Sequence, residues 1–161
     1  MSREDLDKNR GRIGYDEEQL LLGIDMVDKL KTITEMMLYF LDQRQIKFTY
    51  ILIRSDSDDF EAFLKEEKRD TDVLISLAEK GLFVIVCQET DIEGGYRFAE
   101  RLVRHLNMRD NAKSLSCNVM TVSTTYYSVQ HIIFRLLDSY HMFTMKDPDD
   151  RMGPIEFQTL S

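Results

Sequence analysis

The sequence predicts an α/β domain, also describable as α+β, built on a mixed central sheet with helices packed against it. Three observations carry that reading. Phe48–Ile53, Leu82–Cys87 and Asn118–Ser123 are short runs rich in apolar and β-forming residues, as strands buried within a sheet require. The stretches between and around them place apolar residues every three or four positions, as one face of a helix requires. The length, 161 residues, suits one domain with room for a core.

The elements follow in order. Residues 1–14 are polar and end in Gly11 and Gly14, so they read as a flexible N-terminal tail. From Asp16 to about Arg44, Met26, Leu30, Ile33, Met37 and Phe40 trace a helical face. Gly23 leaves open whether one helix or two cover it. The strand at Phe48–Ile53 gives way to abrupt polarity at Ser55–Asp59. A short helix follows over Asp58–Glu67, with acid near its start and lysine near its end, as the helix dipole favours. Asp72–Ala78 and Leu82–Cys87 form a hairpin about Glu79-Lys80-Gly81. Asp91–Met108 is a helix with Phe98, Ala99, Leu102, Val103 and Leu106 inward and Arg97, Arg101 and Arg104 on the other side. After Asn118–Ser123, a last helix is marked by Val129, Ile132, Ile133, Leu136, Leu137 and Tyr140. The domain then spans 15–151, with 152–161 as a C-terminal tail in which Ile155–Phe157 offers a short edge strand. This order contains the βαββαβ arrangement of ferredoxin-like layouts.

Composition excludes several function classes. No apolar run is long enough to cross a bilayer, and Met1–Arg12 has no apolar segment of the secretory kind. Cys87 and Cys117 sit in apolar strands and read as buried free thiols, which fits a cytoplasmic protein. The net charge of −8 argues against nucleic-acid polymers as partners, yet leaves room for a local basic pocket. His105, His131 and His141 lack zinc-ligand spacing, and no metal site is expected. Asp56-Ser57-Asp58-Asp59 begins like a calcium loop, but Phe60 and Glu61 stand where an oxygen ligand and a glycine belong. No phosphate-binding glycine loop and no nucleophile elbow is present.

Several short matches share one order. Leu22-Gly23-Ile24, Asp56-x-Asp58-x-Phe60, Phe83, Thr90-Asp91, Ala99-Glu100-Arg101 and Met120-Thr121-Val122-Ser123 follow one another along residues 20–151. Together they resemble the GGDEF domains, the family of diguanylate cyclases. The resemblance implies a GGDEF-like fold and a place in bacterial second-messenger signal transduction.

The departures decide what activity to expect. The signature turn of the family is replaced by Glu79-Lys80-Gly81-Leu82-Phe83. Its glycines let a nucleotide approach the backbone, and its acid helps hold the metal. Lys80 and Gly81 supply neither function. Asp56 and Asp58 alone remain as metal-side carboxylates. The segment between Phe60 and Arg69 is too short to carry the family's guanine-reading residues. The expectation is a degenerate domain: not an enzyme, and without a required cofactor.

One element persists. Arg69-Asp70-Thr71-Asp72 is similar to the Arg-x-x-Asp inhibitory site that binds cyclic di-GMP in many such domains, and Arg101 matches its second arginine. The resemblance implies cyclic di-GMP as ligand, with Arg69, Asp72 and Arg101 in contact and Arg97 or Arg104 extending the cationic face. Arginine forks suit phosphate and the guanine edge, and a carboxylate can accept from guanine N–H groups. The plainer alternative makes Arg69 and Asp72 a surface pair worth at most about 1 kcal/mol, and the arginine stripe a solvated helix face. Arg135-x-x-Asp138 repeats the pattern inside a helix and serves as a decoy. A competing function is a nucleotide-independent interaction or dimerisation module using Leu20, Leu21, Leu22, Met36 and Met37 of the first helix.

Overall fold

A computed structural model of the chain describes residues 14–110, 114–144 and 155–161. Its helices are α1 (Glu17–Arg44), α2 (Phe60–Glu67), α3 (Ile92–Asp110) and α4 (Val129–Thr144). Its strands are β1 (Phe48–Ser55), β2 (Val73–Ser76), β3 (Leu82–Cys87), β4 (Leu115–Val122) and β5 (Glu156–Leu160). They form one sheet in the order β2-β3-β1-β4-β5. All neighbours are antiparallel except β4 and β5, which run parallel.

Alternation of side chains explains the continuous apolar runs. Tyr50 and Leu52 of β1, Val84 and Val86 of β3, and Met120 and Val122 of β4 point to one face, beneath α1 and α4. Ile51, Ile53, Phe83, Ile85, Cys117 and Val119 point to the other, beneath α2 and α3. Each of these three strands therefore feeds two cores, so both sets of alternate positions are mostly apolar. The segment from β1 to β4 has the expected βαββαβ order, and α1 and α4 cover the face that α2 and α3 leave open.

Local chemistry sets the boundaries. Asp16 caps α1 reciprocally: its carboxylate accepts from the Gln19 amide at 2.8 Å, and the Gln19 side chain accepts from the Asp16 amide at 3.0 Å. Gln45, in the left-handed region at φ 55°, ends the helix through its bond to the Leu41 carbonyl. Gly23 does not break α1. It lies where α4 comes close, since a Cβ there would stand 3.0 Å from Leu137 Cδ2.

Some expected bounds shift. The hairpin's first strand is shorter than Asp72–Ala78, because Asp72 turns inward and Leu77–Gly81 forms the turn. The strand expected at Asn118 begins at Leu115. Residues 156–160, read as part of a C-terminal tail, form β5 along the open edge of β4, with Leu160 buried. The edge strand foreseen at Ile155–Phe157 is thus longer and ends later. Most of the N-terminal tail and residues 145–154 lie outside the described residues. No described helix is long and apolar enough to cross a membrane.

Candidate functional site

The Arg69–Asp72 motif lies in the link between α2 and β2. Asp72 turns into the protein, and its side chain has no exposed surface. Its carboxylate accepts from Arg69 Nη2 at 2.8 Å, from Arg69 Nε at 3.1 Å and from the Arg69 amide at 2.9 Å. The guanidinium reaches further, donating to the Gln88 carbonyl at 2.9 Å and the Thr90 hydroxyl at 2.8 Å. The bond to Asp72 pushes the pKa of Arg69 up, while partial burial opposes it. This is not the surface pair of the plainer alternative. The Asp72 carboxylate faces Arg69, whose own side chain stays half exposed.

Arg69 thereby joins the loop after β3 to the link before β2. Thr90 is held there by its amide on the Lys47 carbonyl at 3.1 Å and by the Thr49 hydroxyl, which donates to the Thr90 carbonyl at 2.7 Å. Asp91 then starts α3, its carboxylate accepting from the Gly94 amide at 2.8 Å. The next turns of α3 present Arg97, Phe98 and Arg101.

These residues surround one open cleft of about 650 Å³. Arg69, Arg97 and Arg101 line it with Lys47, Thr90 and Phe98, while Glu89 and Asp91 contribute acid. Three of the four site residues expected from sequence therefore meet, and Asp72 stands behind them. Arg104 is exposed on α3 and does not line the cleft. The sequence reading missed Lys47 and the anchoring role of Thr90. Thr90 was visible as half of Thr90-Asp91, whereas Lys47 has no signal beyond its place just before β1.

The arginines are not bare. Arg97 pairs with Glu93 at 2.6 Å in the open. Arg101 donates to the Glu67 carbonyl at 2.8 Å, lies 3.6 Å from the Glu67 carboxylate and covers the Phe98 ring at 4.8 Å. The other oxygen of that carboxylate is 2.8 Å from His105 Nδ1. The Arg101 Nε is buried and makes no hydrogen bond. Among the described residues Lys47 has no ion pair. Among the described residues, the cleft thus offers one cation without an ion pair, Lys47, and one arginine, Arg97, whose partner is largely exposed.

The opposite end of β1 differs. Asp56 and Asp58 are exposed in the loop after it. The hairpin turn folds onto that end: Ser55 donates to the Gly81 carbonyl at 3.1 Å, and Gly81 has φ 75°. A Cβ on Gly81 would meet the Ser55 carbonyl oxygen at 2.2 Å. Among the described residues no group of three or more His, Cys, Asp or Glu side chains could hold a metal. The decoy Arg135 and Asp138 lie on α4, beside β5 and remote in sequence from the cleft elements.

No protein-family model and no curated protein matches the sequence. Among solved structures, the chain is similar to the crystal structure of the FimX GGDEF domain from Pseudomonas aeruginosa. The TM-score is 0.58 at 11% identity, over 80% of this chain and 90% of that one. The architecture, a five-stranded mixed sheet between two pairs of helices, is a GGDEF-like fold.

Proposed function

We propose that the domain is a non-catalytic cytoplasmic receptor for cyclic di-GMP, bound in the arginine cleft between the α2–β2 link and α3. One observation carries this reading: residues far apart in sequence, Arg69, Arg97 and Arg101, line the same cleft with the unpaired Lys47. Phosphate and the guanine edge suit that set of donors, and Phe98 adds an aromatic surface. Arg69 is the oriented member and Asp72 its positioning residue. The turn sequence Glu79-Lys80-Gly81 and its contact with Ser55 support a domain without cyclase activity. GTP with magnesium or manganese should yield no cyclic di-GMP above a heat-killed control.

Calorimetric titration with cyclic di-GMP tests the receptor. Saturable binding is expected, weakening as salt is added because the contacts are charge-assisted. Arg69→Ala and Arg101→Ala should each cost about 1.5–3 kcal/mol, roughly ten- to more than a hundredfold in affinity. Arg135→Ala should leave binding unchanged. Absence of saturable binding at tens of micromolar ligand would remove the receptor reading and leave an interaction module in its place.

A further inference from the structure

Two threonines interrupt the apolar sheet face beneath α3. Thr49 of β1 and Thr121 of β4 are register partners, both are buried, and their hydroxyls lie 2.8 Å apart. A buried hydroxyl costs free energy unless it is bonded, and valine would fill either place with the same shape and no polar atom. Donor and acceptor chemistry fixes the direction of the bonds. The Thr90 carbonyl can only accept, so the single Thr49 hydroxyl proton goes to it, at 2.7 Å. Thr121 must then donate to Thr49. The Thr90 hydroxyl accepts from Arg69 Nη2 at 2.8 Å, so its own proton goes to the Gln88 carbonyl, also at 2.8 Å. The bonds thus run one way from β4 through β1 to the residue that receives Arg69.

The same threonine seats α3. A Cβ on Gly95 would stand 2.8 Å from Thr49 Cγ2 and 3.0 Å from Val119 Cγ1, so the first turn of α3 lies directly on this spot of the sheet. We infer that Thr49 is a positioning residue of the arginine cleft. It holds Thr90 in the one place where the Thr90 hydroxyl can fix the Arg69 guanidinium, and Thr121 orients it from behind. Neither Thr49 nor Thr121 lines the cleft, so both act only through Thr90 and Arg69. The effect on ligand affinity rests on the receptor reading; the effect on Arg69 does not.

The test is the Arg69 Nη signals in proton–nitrogen NMR of the full chain, read with a cyclic di-GMP titration. A guanidinium held through Nη2 turns slowly about its Nε–Cζ bond, so Nη1 and Nη2 give separate signals that coalesce on warming. Thr49→Val should lower the coalescence temperature and weaken cyclic di-GMP binding about tenfold. Thr49→Ser, which keeps the hydroxyl, should restore both. Gly81→Ala, a destabilising change at the opposite end of β1, should move neither in the folded protein. The proposal is overturned if coalescence in Thr49→Val matches wild type, if Thr49→Ser is as impaired as Thr49→Val, or if coalescence shifts while measurable binding does not. Should Thr49→Val fail to fold, Thr121→Val takes its place, with a smaller shift in the same direction expected and unchanged coalescence overturning the proposal. Wild-type protein that binds no cyclic di-GMP removes the receptor reading alone, and the Nη signals still decide the role of Thr49.

Discussion

The smallest features with consequences are carboxylates. Asp72 is buried and meets Arg69 through three donors, so Arg69→Ala leaves a carboxylate inside the protein with only a backbone partner. A loss of about 1–3 kcal/mol in urea unfolding is expected alongside the loss of binding. Arg69→Lys keeps a charge but not the fork that reaches Asp72, Gln88 and Thr90 together, and should recover stability only in part. Glu93 acts in the opposite direction. It occupies Arg97 in open solvent, and so competes with any anion entering the cleft. Glu93→Gln should tighten cyclic di-GMP binding about two- to fivefold, whereas Arg97→Ala should abolish that gain. Titration of the two variants in parallel checks the point. Sequence reasoning found Arg69, Asp72 and Arg101 because they fall in a motif order. That the Arg69 guanidinium also reaches Gln88 and Thr90 depends on where the loop after β3 lies, and no local pattern encodes that.

At the level of elements, the turn between β2 and β3 is the most constrained. Gly81 combines a positive φ with backbone contact to Ser55. Gly81→Ala should cost more than about 1–2 kcal/mol, since both the conformation and the space are lost. Thermal unfolding of that variant against wild type measures it. The three central strands and the helical faces were legible because burial on both sides of the sheet imposes an apolar run, and one-sided burial imposes a stripe. β5 was harder to read. Its five residues alternate, with Leu160 buried and Phe157 exposed, and a single short alternating segment is compatible with a tail. Leu160→Ala should reveal its contribution, at about 2–5 kcal/mol if the site does not collapse. The cleft itself was legible only as a list of residues. Its walls come from the α1–β1 link, the α2–β2 link, the β3–α3 loop and α3, and their convergence is a property of strand order.

For the molecule as a whole, the two thiols set an alkaline limit. Burial pushes Cys117 from 9.0 up to about 12 and raises Cys87 as well. A raised folded-state value means that the stabilising contribution is complete below the unfolded thiol's pKa and is lost as pH climbs towards the folded one. Unfolding free energy should therefore hold steady at neutral pH and decline above about pH 9, with a shallower decline in a variant carrying both Cys87→Ala and Cys117→Ala. Urea melts at a series of pH values would show it, and both thiols should resist alkylation at pH 8 in the native state. The position of β1 has a separate consequence, in time and not in free energy. It is bonded on both sides, to β3 and to β4, and is covered above and below by helices. Its amides have no small opening through which to meet solvent. In deuterated buffer the protons of Thr49–Ile53 should be the last to leave, at the rate at which the entire sheet comes apart. Those of β2 and β5, each with one unpaired edge, should be gone long before.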